Sequence, residues 1–339
     1  MTSPRSIASI ALTRLDELPH QLERALEGAA ASLGRRRLRA IRHALTIVGI
    51  VSLPYIVLIN QAKSMFGFDV YAYWAIDLGD LYDRSIGNTS ALGAFRYTPA
   101  AGQLFAPFHL LPWELFFAIW IAAMVAALIW LTGRSWLLLL AFPPIPLELY
   151  HGNIHLFMAV AIVLGFRYPI AWAFIVLTKV SPGVGALWFA FRGEWRKFAL
   201  AVGGTLAIAA VSFIVAPSLW REYASTMVDN LTYDPGHPYP VPIPLPIRMA
   251  LSAAIVWWGA RTNRRWVVPV AVVVSLPIIW FHGLAVLAAC IPLWREDRRA
   301  GDPQVAGDGS RLAASIGTRP DSAKADPART VPTMKPRSV

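Results

Sequence analysis

The fold class of this 339-residue chain is most clearly indicated by residues 113–132, WELFFAIWIAAMVAALIWLT. It carries one charged residue, Glu114, near its beginning, and the rest of the stretch is apolar apart from its final threonine. A helix of about 20 apolar residues is long enough to cross the hydrocarbon core of a bilayer. The stretch therefore predicts a transmembrane helix and an integral membrane protein.

The composition of the whole chain agrees with a protein that crosses the membrane several times. Hydrophobic residues make up 56% of it, charged residues make up 15%, and the mean hydropathy is +0.49. These values are too apolar and too poor in charge for an ordinary soluble enzyme. The net charge of +11 could suggest nucleic-acid binding, but the basic residues fall in short gaps between apolar runs, as in cytoplasmic loops. We therefore expect no nucleic-acid partner.

Apolar runs recur along the centre of the chain and predict an all-α, polytopic transmembrane helical bundle. We expect about ten spans, several of them short or broken, because some runs are shorter than a straight span requires. Broken helices are tolerated in a membrane where their backbone lines a cavity within the protein. The runs lie near 44–61, 113–132, 135–149, 154–166, 168–178, 182–191, 198–217, 247–260, 266–280 and 283–294.

The two terminal segments differ from this core, so three regions are predicted. Residues 1–43 form a basic leader without a cleavable signal peptide, either an amphipathic helix on the cytoplasmic surface or a solvated segment. Residues 44–298 form the transmembrane domain. Residues 299–339 have almost no large apolar side chains and are expected to be a disordered cytoplasmic tail. The single cysteine, Cys290, excludes an intrachain disulfide.

The positions of the basic residues predict the side of the membrane that each loop faces. With the leader inside, the positive-inside rule places the later clusters of arginine and lysine inside as well. The long segments 62–112 and 218–246 then face outside, and both termini are cytoplasmic in a bacterial plasma membrane. The run 168–191 is best divided in two, because Ser181, Pro182 and Gly183 break a helix and Lys179 would otherwise lie in mid-membrane.

Polar residues at three outer corners of this topology point to a shared ligand. The corners carry Asn153 and His155, then Lys179, and then His282. Each such residue costs on the order of 3 kcal/mol or less in hydrocarbon, so their placement on one side needs a reason. An anionic ligand would explain the cations, although a snorkelling lysine and a hydrogen-bonded packing histidine are alternatives. We predict that a lipid-borne phosphate meets Lys179 and Arg96 in a lateral cleft open to the outer side.

The first outer segment supplies a candidate general base. Asp69 follows the first span closely and has apolar neighbours on both sides, so it is expected near the membrane surface. Desolvation there would raise the carboxyl pKa toward neutral, which suits a base. Aromatic side chains with interspersed carboxylates in this segment suit a sugar-like ligand, and they would equally suit an interfacial belt.

Motifs for other phosphate chemistries are missing from the sequence. It has neither an Asp-x-Asp pair nor a Cys/His cluster, and no Gly-rich loop precedes a Lys-Ser/Thr pair. A sugar donor linked through a monophosphate needs none of these. We therefore expect no metal, no cofactor and no ATP-driven pump.

Several spaced motifs resemble glycosyltransferase family 87, integral-membrane enzymes of the GT-C architecture that use polyprenyl-phosphate sugars. They extend over residues 65–285, most of the predicted membrane core. The motifs are Phe68-Asp69-Val70-Tyr71 in the first outer loop, Tyr97-Thr98-Pro99 for the family's Tyr-Pro-Pro, Gly152-Asn153 for its Gly-Gln, Lys179-Val180-Ser181-Pro182 for its Lys-x-x-Pro, and 275–282 for its Ser-Pro-x-x-Trp-x-His-His, with Gly283 at the second histidine.

The resemblance implies an inverting sugar transfer in which Asp69 takes the proton of the acceptor hydroxyl and polyprenyl phosphate leaves. It implies a polyprenyl-phosphate sugar donor, with mannose as the expected sugar, and a lipid-linked glycan acceptor. A polyprenyl-phosphate arabinose donor, a transporter or flippase for a lipid-linked intermediate, and a non-catalytic relative remain alternatives. The candidate phosphate ligands are Lys179, His282 and Arg96, and the candidate substrate ligands are Tyr71, Tyr97, Asn153 and His155.

Overall fold

The computed structural model describes residues 35–61, 66–83, 91–231, 241 and 243–300. Helices and the turns between them account for this part of the chain, and it contains no strand, so the predicted all-α class is confirmed for it. The leader as far as residue 34 and the tail from residue 301 lie outside the described residues, and the predictions for them stay predictions.

The α-helices are numbered here in chain order. Short 3₁₀ helices connect several of them, and Ser181–Ala186 and Phe281–Ala289 are the two that bear on the site. The α-helices are α1 (Arg35–Gln61), α2 (Phe68–Trp74), α3 (Pro99–Phe105), α4 (Trp113–Thr132), α5 (Trp136–Leu139), α6 (Pro144–His151), α7 (His155–Gly165), α8 (Trp172–Thr178), α9 (Leu187–Phe191), α10 (Trp195–Val215), α11 (Pro217–Leu231), α12 (Leu245–Thr262), α13 (Val268–Ser275) and α14 (Cys290–Ala300).

Three helices among the described residues are long and apolar enough to cross a membrane: Arg37–Leu58, Trp113–Leu139 and Trp195–Val215. The pair α6 and α7 makes a fourth if it is one broken span, with a bend of 111° between its halves. Because a helix rises about 1.5 Å per residue, α8, α9 and α13 are too short to cross a core of about 30 Å. The predicted count of about ten spans is therefore not confirmed.

Helix α4 shows how an apolar span is divided between the protein and its surroundings. Its buried side chains recur every turn along one face: Phe116, Trp120, Met124 and Leu128. The opposite face is also apolar but exposed, and in a membrane it would contact lipid tails. The exposed residues there include Leu115, Ile119, Ile129 and Trp130.

The bend between α6 and α7 depends on a glycine. Gly152 adopts the left-handed conformation with φ of 70°, which ends α6, and its N–H donates to the Glu148 carbonyl oxygen at 2.8 Å. A Cβ at this position would lie 2.7 Å from the Val70 Cβ, so glycine allows α2 to pack directly against the bend. Trp120 Nε1 donates to the Gly152 carbonyl oxygen at 2.8 Å. The bend thus holds α2, which carries Asp69, beside Asn153.

The run 168–191 is broken where the sequence predicts. Helix α8 ends at Thr178, and a 3₁₀ helix begins at Ser181. Lys179 lies between them in an extended conformation, with φ of −141° and ψ of 106°. The prediction of two short helices meeting at this corner is confirmed, and the corner sets Lys179 apart from either helix.

Candidate functional site

Residues from distant parts of the chain meet around the carboxylate of Asp69. Asp69 Oδ2 lies 3.5 Å from His282 Nε2. The Asn153 amide hydrogen-bonds to the Asp69 carboxylate, and its nitrogen lies 3.4 Å from His282 Nε2. The Asp69 side chain is 22% exposed, whereas that of His282 is 10% exposed. The carboxylate is therefore held by His282 and Asn153, and part of the Asp69 side chain stays exposed.

Lys179 reaches the same cluster across the ring of Tyr97. Its Nζ lies 5.8 Å from the ring centre, within the range of a cation–π contact. The Tyr97 hydroxyl lies 2.8 Å from the Tyr73 hydroxyl, and Tyr73 donates to Asn153 Oδ1 at 3.3 Å. Two tyrosines thus connect the lysine to the amide that holds Asp69.

The surroundings of Asp69 lower its pKa, which corrects the prediction that burial would raise it toward neutral. Burial by itself does raise the pKa of this carboxyl, but cationic and hydrogen-bonding neighbours outweigh it. Asp69 is therefore ionised at neutral pH, which is the state that a general base needs. The neighbours that lower the pKa are His282, His151, Asn153 and Lys179.

A buried carboxylate that the sequence analysis did not single out lies beside His155. Glu148 is fully buried, and both of its oxygens contact one residue. Oε1 accepts a hydrogen bond from the His155 backbone N–H at 2.6 Å, and Oε2 lies 2.9 Å from His155 Nδ1. These contacts fasten α6 to the start of α7 across the bend. A single acid inside the apolar run 135–149 was the signal that could have found it.

The same region offers ligand atoms for a metal ion. One atom each from Glu148, His155 and His282 lie within 4.8 Å of one another, and carboxylate oxygen with imidazole nitrogen is a set that zinc accepts. These residues also have protein partners, since both Glu148 oxygens contact His155 and His282 Nε2 faces Asp69 and Asn153. A hydrogen-bonded network therefore accounts for the cluster as it stands.

We expect Glu148→Gln to destabilise the detergent-solubilised protein by about 1–3 kcal/mol, because a neutral amide makes weaker hydrogen bonds with the backbone N–H and ring of His155 than a carboxylate does. The measurement is the midpoint of thermal unfolding. The matched control is Glu194→Gln, since Glu194 forms partly exposed ion pairs with Arg192 and Lys197, and such pairs contribute little to stability. An equal loss of stability in the two variants would contradict the inference that Glu148 fastens α6 to α7.

The structure gathers most of the predicted ligands but leaves Tyr71 apart from them. The Tyr71 ring packs against Trp113, with 5.3 Å between ring centres, on another side of α2 from Asp69. Tyr73 contacts the cluster instead, because residues four apart share a helix face. Arg96 is half-buried next to Tyr97, and its charge acts on Lys179. The predicted residues that lie together are Asp69, Tyr97, Asn153, His155, Lys179 and His282.

Thr98, one departure from the motifs that the sequence resembles, makes a contact that proline could not. Thr98 Oγ1 donates to the Leu177 carbonyl oxygen at 2.6 Å, and the Thr98 N–H donates to the same oxygen at 3.3 Å. Proline has neither donor. Because Leu177 lies near the end of α8, these bonds tie the loop that carries Tyr97 to the corner that carries Lys179.

Gly283 is a second departure from the motifs, and its lack of a side chain leaves space beside the imidazole of His155. A Cβ at this position would lie 3.1 Å from Leu276 Cδ1 and 3.5 Å from His155 Nε2. The His155 ring therefore lies next to the volume that a side chain at position 283 would enter. The ring centres of His155 and His282 are 5.4 Å apart.

Comparison with known proteins identifies the family of this chain. Neither the curated proteins nor the solved structures gave a match. A family model described as glycosyltransferase family 87 matches residues 95–311, more than half of the chain. The matched region includes Tyr97, Asn153, Lys179 and His282 and begins after Asp69, so the assignment of Asp69 rests on its contacts. This integral membrane protein belongs to glycosyltransferase family 87.

Proposed function

We propose that this glycosyltransferase transfers mannose from a polyprenyl-phosphate donor to a lipid-linked glycan at the outer face of a bacterial plasma membrane. The observation that carries the proposal is the meeting of the partly exposed Asp69 carboxylate with His282, at 3.5 Å, and with the charge of Lys179. Transfer from a phosphate-linked sugar needs a base to receive the proton of the acceptor hydroxyl and a cation to meet the leaving phosphate. The Asp69 carboxylate and the Lys179 ammonium, which could fill these two roles, belong to the same cluster.

In the proposed reaction, the acceptor hydroxyl gives its proton to the Asp69 carboxylate as its oxygen attacks the anomeric carbon of the sugar. The bond between that carbon and the phosphate oxygen breaks, and its electron pair leaves with polyprenyl phosphate. Attack from the side opposite the phosphate inverts the anomeric configuration. The contacts of Asp69 with His282 and Asn153 orient the carboxylate before the acceptor binds.

The departing phosphate would be met by Lys179. A cation held in a poorly hydrated site stabilises developing negative charge strongly, because no water has to reorganise during the reaction. Tyr97 holds the ammonium through the cation–π contact, and Arg96 adds a second positive charge nearby. This arrangement supports a monophosphate-linked donor.

The location of the site supports a lipid-borne donor. Asn153 and His155 lie at the bend of the pair α6 and α7, which is itself apolar enough to count as a broken span. A polyprenyl chain dissolves in the same layer that surrounds such a helix pair, so donor and site would meet within the bilayer.

The test is incubation of the purified protein with labelled polyprenyl-phosphate mannose and a bacterial membrane lipid extract, followed by identification of the product. We expect a labelled glycolipid and the release of polyprenyl phosphate. A product formed only from polyprenyl-phosphate arabinose would overturn the assignment of mannose while retaining sugar transfer. Movement of the donor across sealed vesicles without a new glycosidic bond would overturn the proposal in favour of a flippase.

A further inference from the structure

Arg248, a buried arginine in α12, has no part in the reaction proposed above. It is 6% exposed and lies in the first turn of the helix. An arginine in such surroundings is expensive to bury unless its N–H groups all find acceptors. The acceptors that the Arg248 guanidinium binds therefore indicate the role of this side chain.

The Arg248 guanidinium binds the carboxyl end of α13. The last carbonyl groups of a helix lack partners within the helix and carry partial negative charge, so a cation there is stabilising. Arg248 supplies this charge from another helix and acts as a C-terminal cap. Nε donates to the Ile243 carbonyl oxygen at 3.0 Å, Nη1 donates to those of Val274 at 3.1 Å and Leu276 at 2.5 Å, and Nη2 donates to that of Pro277 at 2.9 Å.

The same helix end contacts both segments that supply the candidate phosphate ligands. Ser181 Oγ donates to the Ser275 carbonyl oxygen at 2.6 Å, and Ser181 follows Lys179 by two residues. On the other side, the chain runs from Pro277 to Trp280, whose ring is stacked on that of His282 with 10° between their planes. The end of α13 is therefore the common support of the Lys179 corner and the His282 loop.

We propose that Arg248 is a positioning residue that sets the placement of Lys179 relative to His282 by fixing the carboxyl end of α13. The proposal rests on the proposed function for the roles of those two residues. Arg248 acts through the backbone and not by contact with the reacting groups. Lysine cannot replace it, because one ammonium group cannot reach the several carbonyl oxygens that the forked guanidinium binds.

The experiment compares Arg248→Met and Arg248→Lys with Arg261→Met, an exposed arginine on the same helix. Activities are normalised to folded protein. We expect Arg248→Met to lower kcat/KM for polyprenyl-phosphate mannose about 10²-fold, since small displacements in a site have effects of that size. Arg248→Lys should recover little, and Arg261→Met should stay within about twofold of the wild type. Wild-type activity in Arg248→Met would overturn the inference.

A double variant separates positioning from a purely structural role. Because Arg248 is proposed to place His282 as well as Lys179, Arg248→Met should cause a clearly smaller loss in the His282→Ala background than in the wild type. Fully multiplicative losses would overturn the inference. Should Arg248→Met not fold, Arg248→Lys is used in the same cycle.

Binding of polyprenyl monophosphate gives a readout that does not need catalysis. It is measured as the shift that the lipid causes in the midpoint of thermal unfolding. We expect about tenfold weaker binding in Arg248→Met than in the wild type, because the phosphate site is displaced. Equal binding in the two proteins would overturn the inference. If the wild type binds this probe but transfers no sugar, the proposed function fails, and the binding comparison still decides the role of Arg248.

Discussion

Replacing Asp69 by asparagine should abolish measurable sugar transfer, with a loss of about 10³-fold or more in kcat. Asparagine fills nearly the same volume and can still contact His282 and Asn153, but it cannot accept a proton from the acceptor hydroxyl. The measurement is the rate of glycolipid formation in membranes with matched amounts of the protein.

The matched control for this variant is Asp83→Asn. Asp83 is an exposed carboxylate in the same predicted outer segment, so its replacement removes the same charge outside the cluster. We expect its rate to stay within about twofold of the wild type. Near-normal turnover in Asp69→Asn would refute the assignment of Asp69 as the base.

Lys179→Ala should lower kcat/KM for the polyprenyl-phosphate donor by about 10²- to 10³-fold, because in the proposed reaction it removes the cation that meets the leaving phosphate. The KM for the acceptor should change little. The variant should also move the acid limb of the pH profile to higher pH, since Lys179 is one of the charges that lower the pKa of Asp69. Donor and acceptor kinetics, measured across a pH series, test both effects.

Lys197→Ala is the control for the loss of one lysine. Its side chain is 48% exposed, and its ammonium pairs with Glu194 outside the site. We expect normal donor kinetics and an unshifted pH profile from it. If Lys179→Ala showed the same unchanged dependence on donor concentration, Lys179 would have to be removed from the phosphate site.

The helices themselves could largely be predicted from the sequence, whereas the predicted number of crossings is not confirmed. The run 113–132 coincides with α4, and the break after Thr178 follows from the Ser-Pro-Gly that begins at Ser181. Apolar runs do not reveal whether lipid or protein surrounds them, since both faces of α4 are apolar. The count of about ten crossings, which included the short runs, is therefore not confirmed.

The predicted residues could be gathered from the topology because they recur at corners on one predicted side. The finer chemistry depended on contacts that only the fold supplies. The pKa of Asp69 falls because of partners such as His282, more than two hundred residues away in the chain. Arg248 was missed because its partners are backbone carbonyl groups, which every residue has. Tyr73 replaced Tyr71 because the turn of a short helix decides which ring faces inward.

The absent side chain at position 283 has a consequence for any redesign of this pocket. The Cβ of a histidine restored there would lie 3.1 Å from Leu276 Cδ1, which would have to move by a few tenths of an ångström, and 3.5 Å from His155 Nε2, an ordinary contact. A side chain at position 283 would therefore begin in contact with Leu276 and with the His155 ring. A graft at position 283 is therefore best planned together with Leu276 and His155, since His282, which faces the Asp69 carboxylate at 3.5 Å, is the preceding residue in the chain.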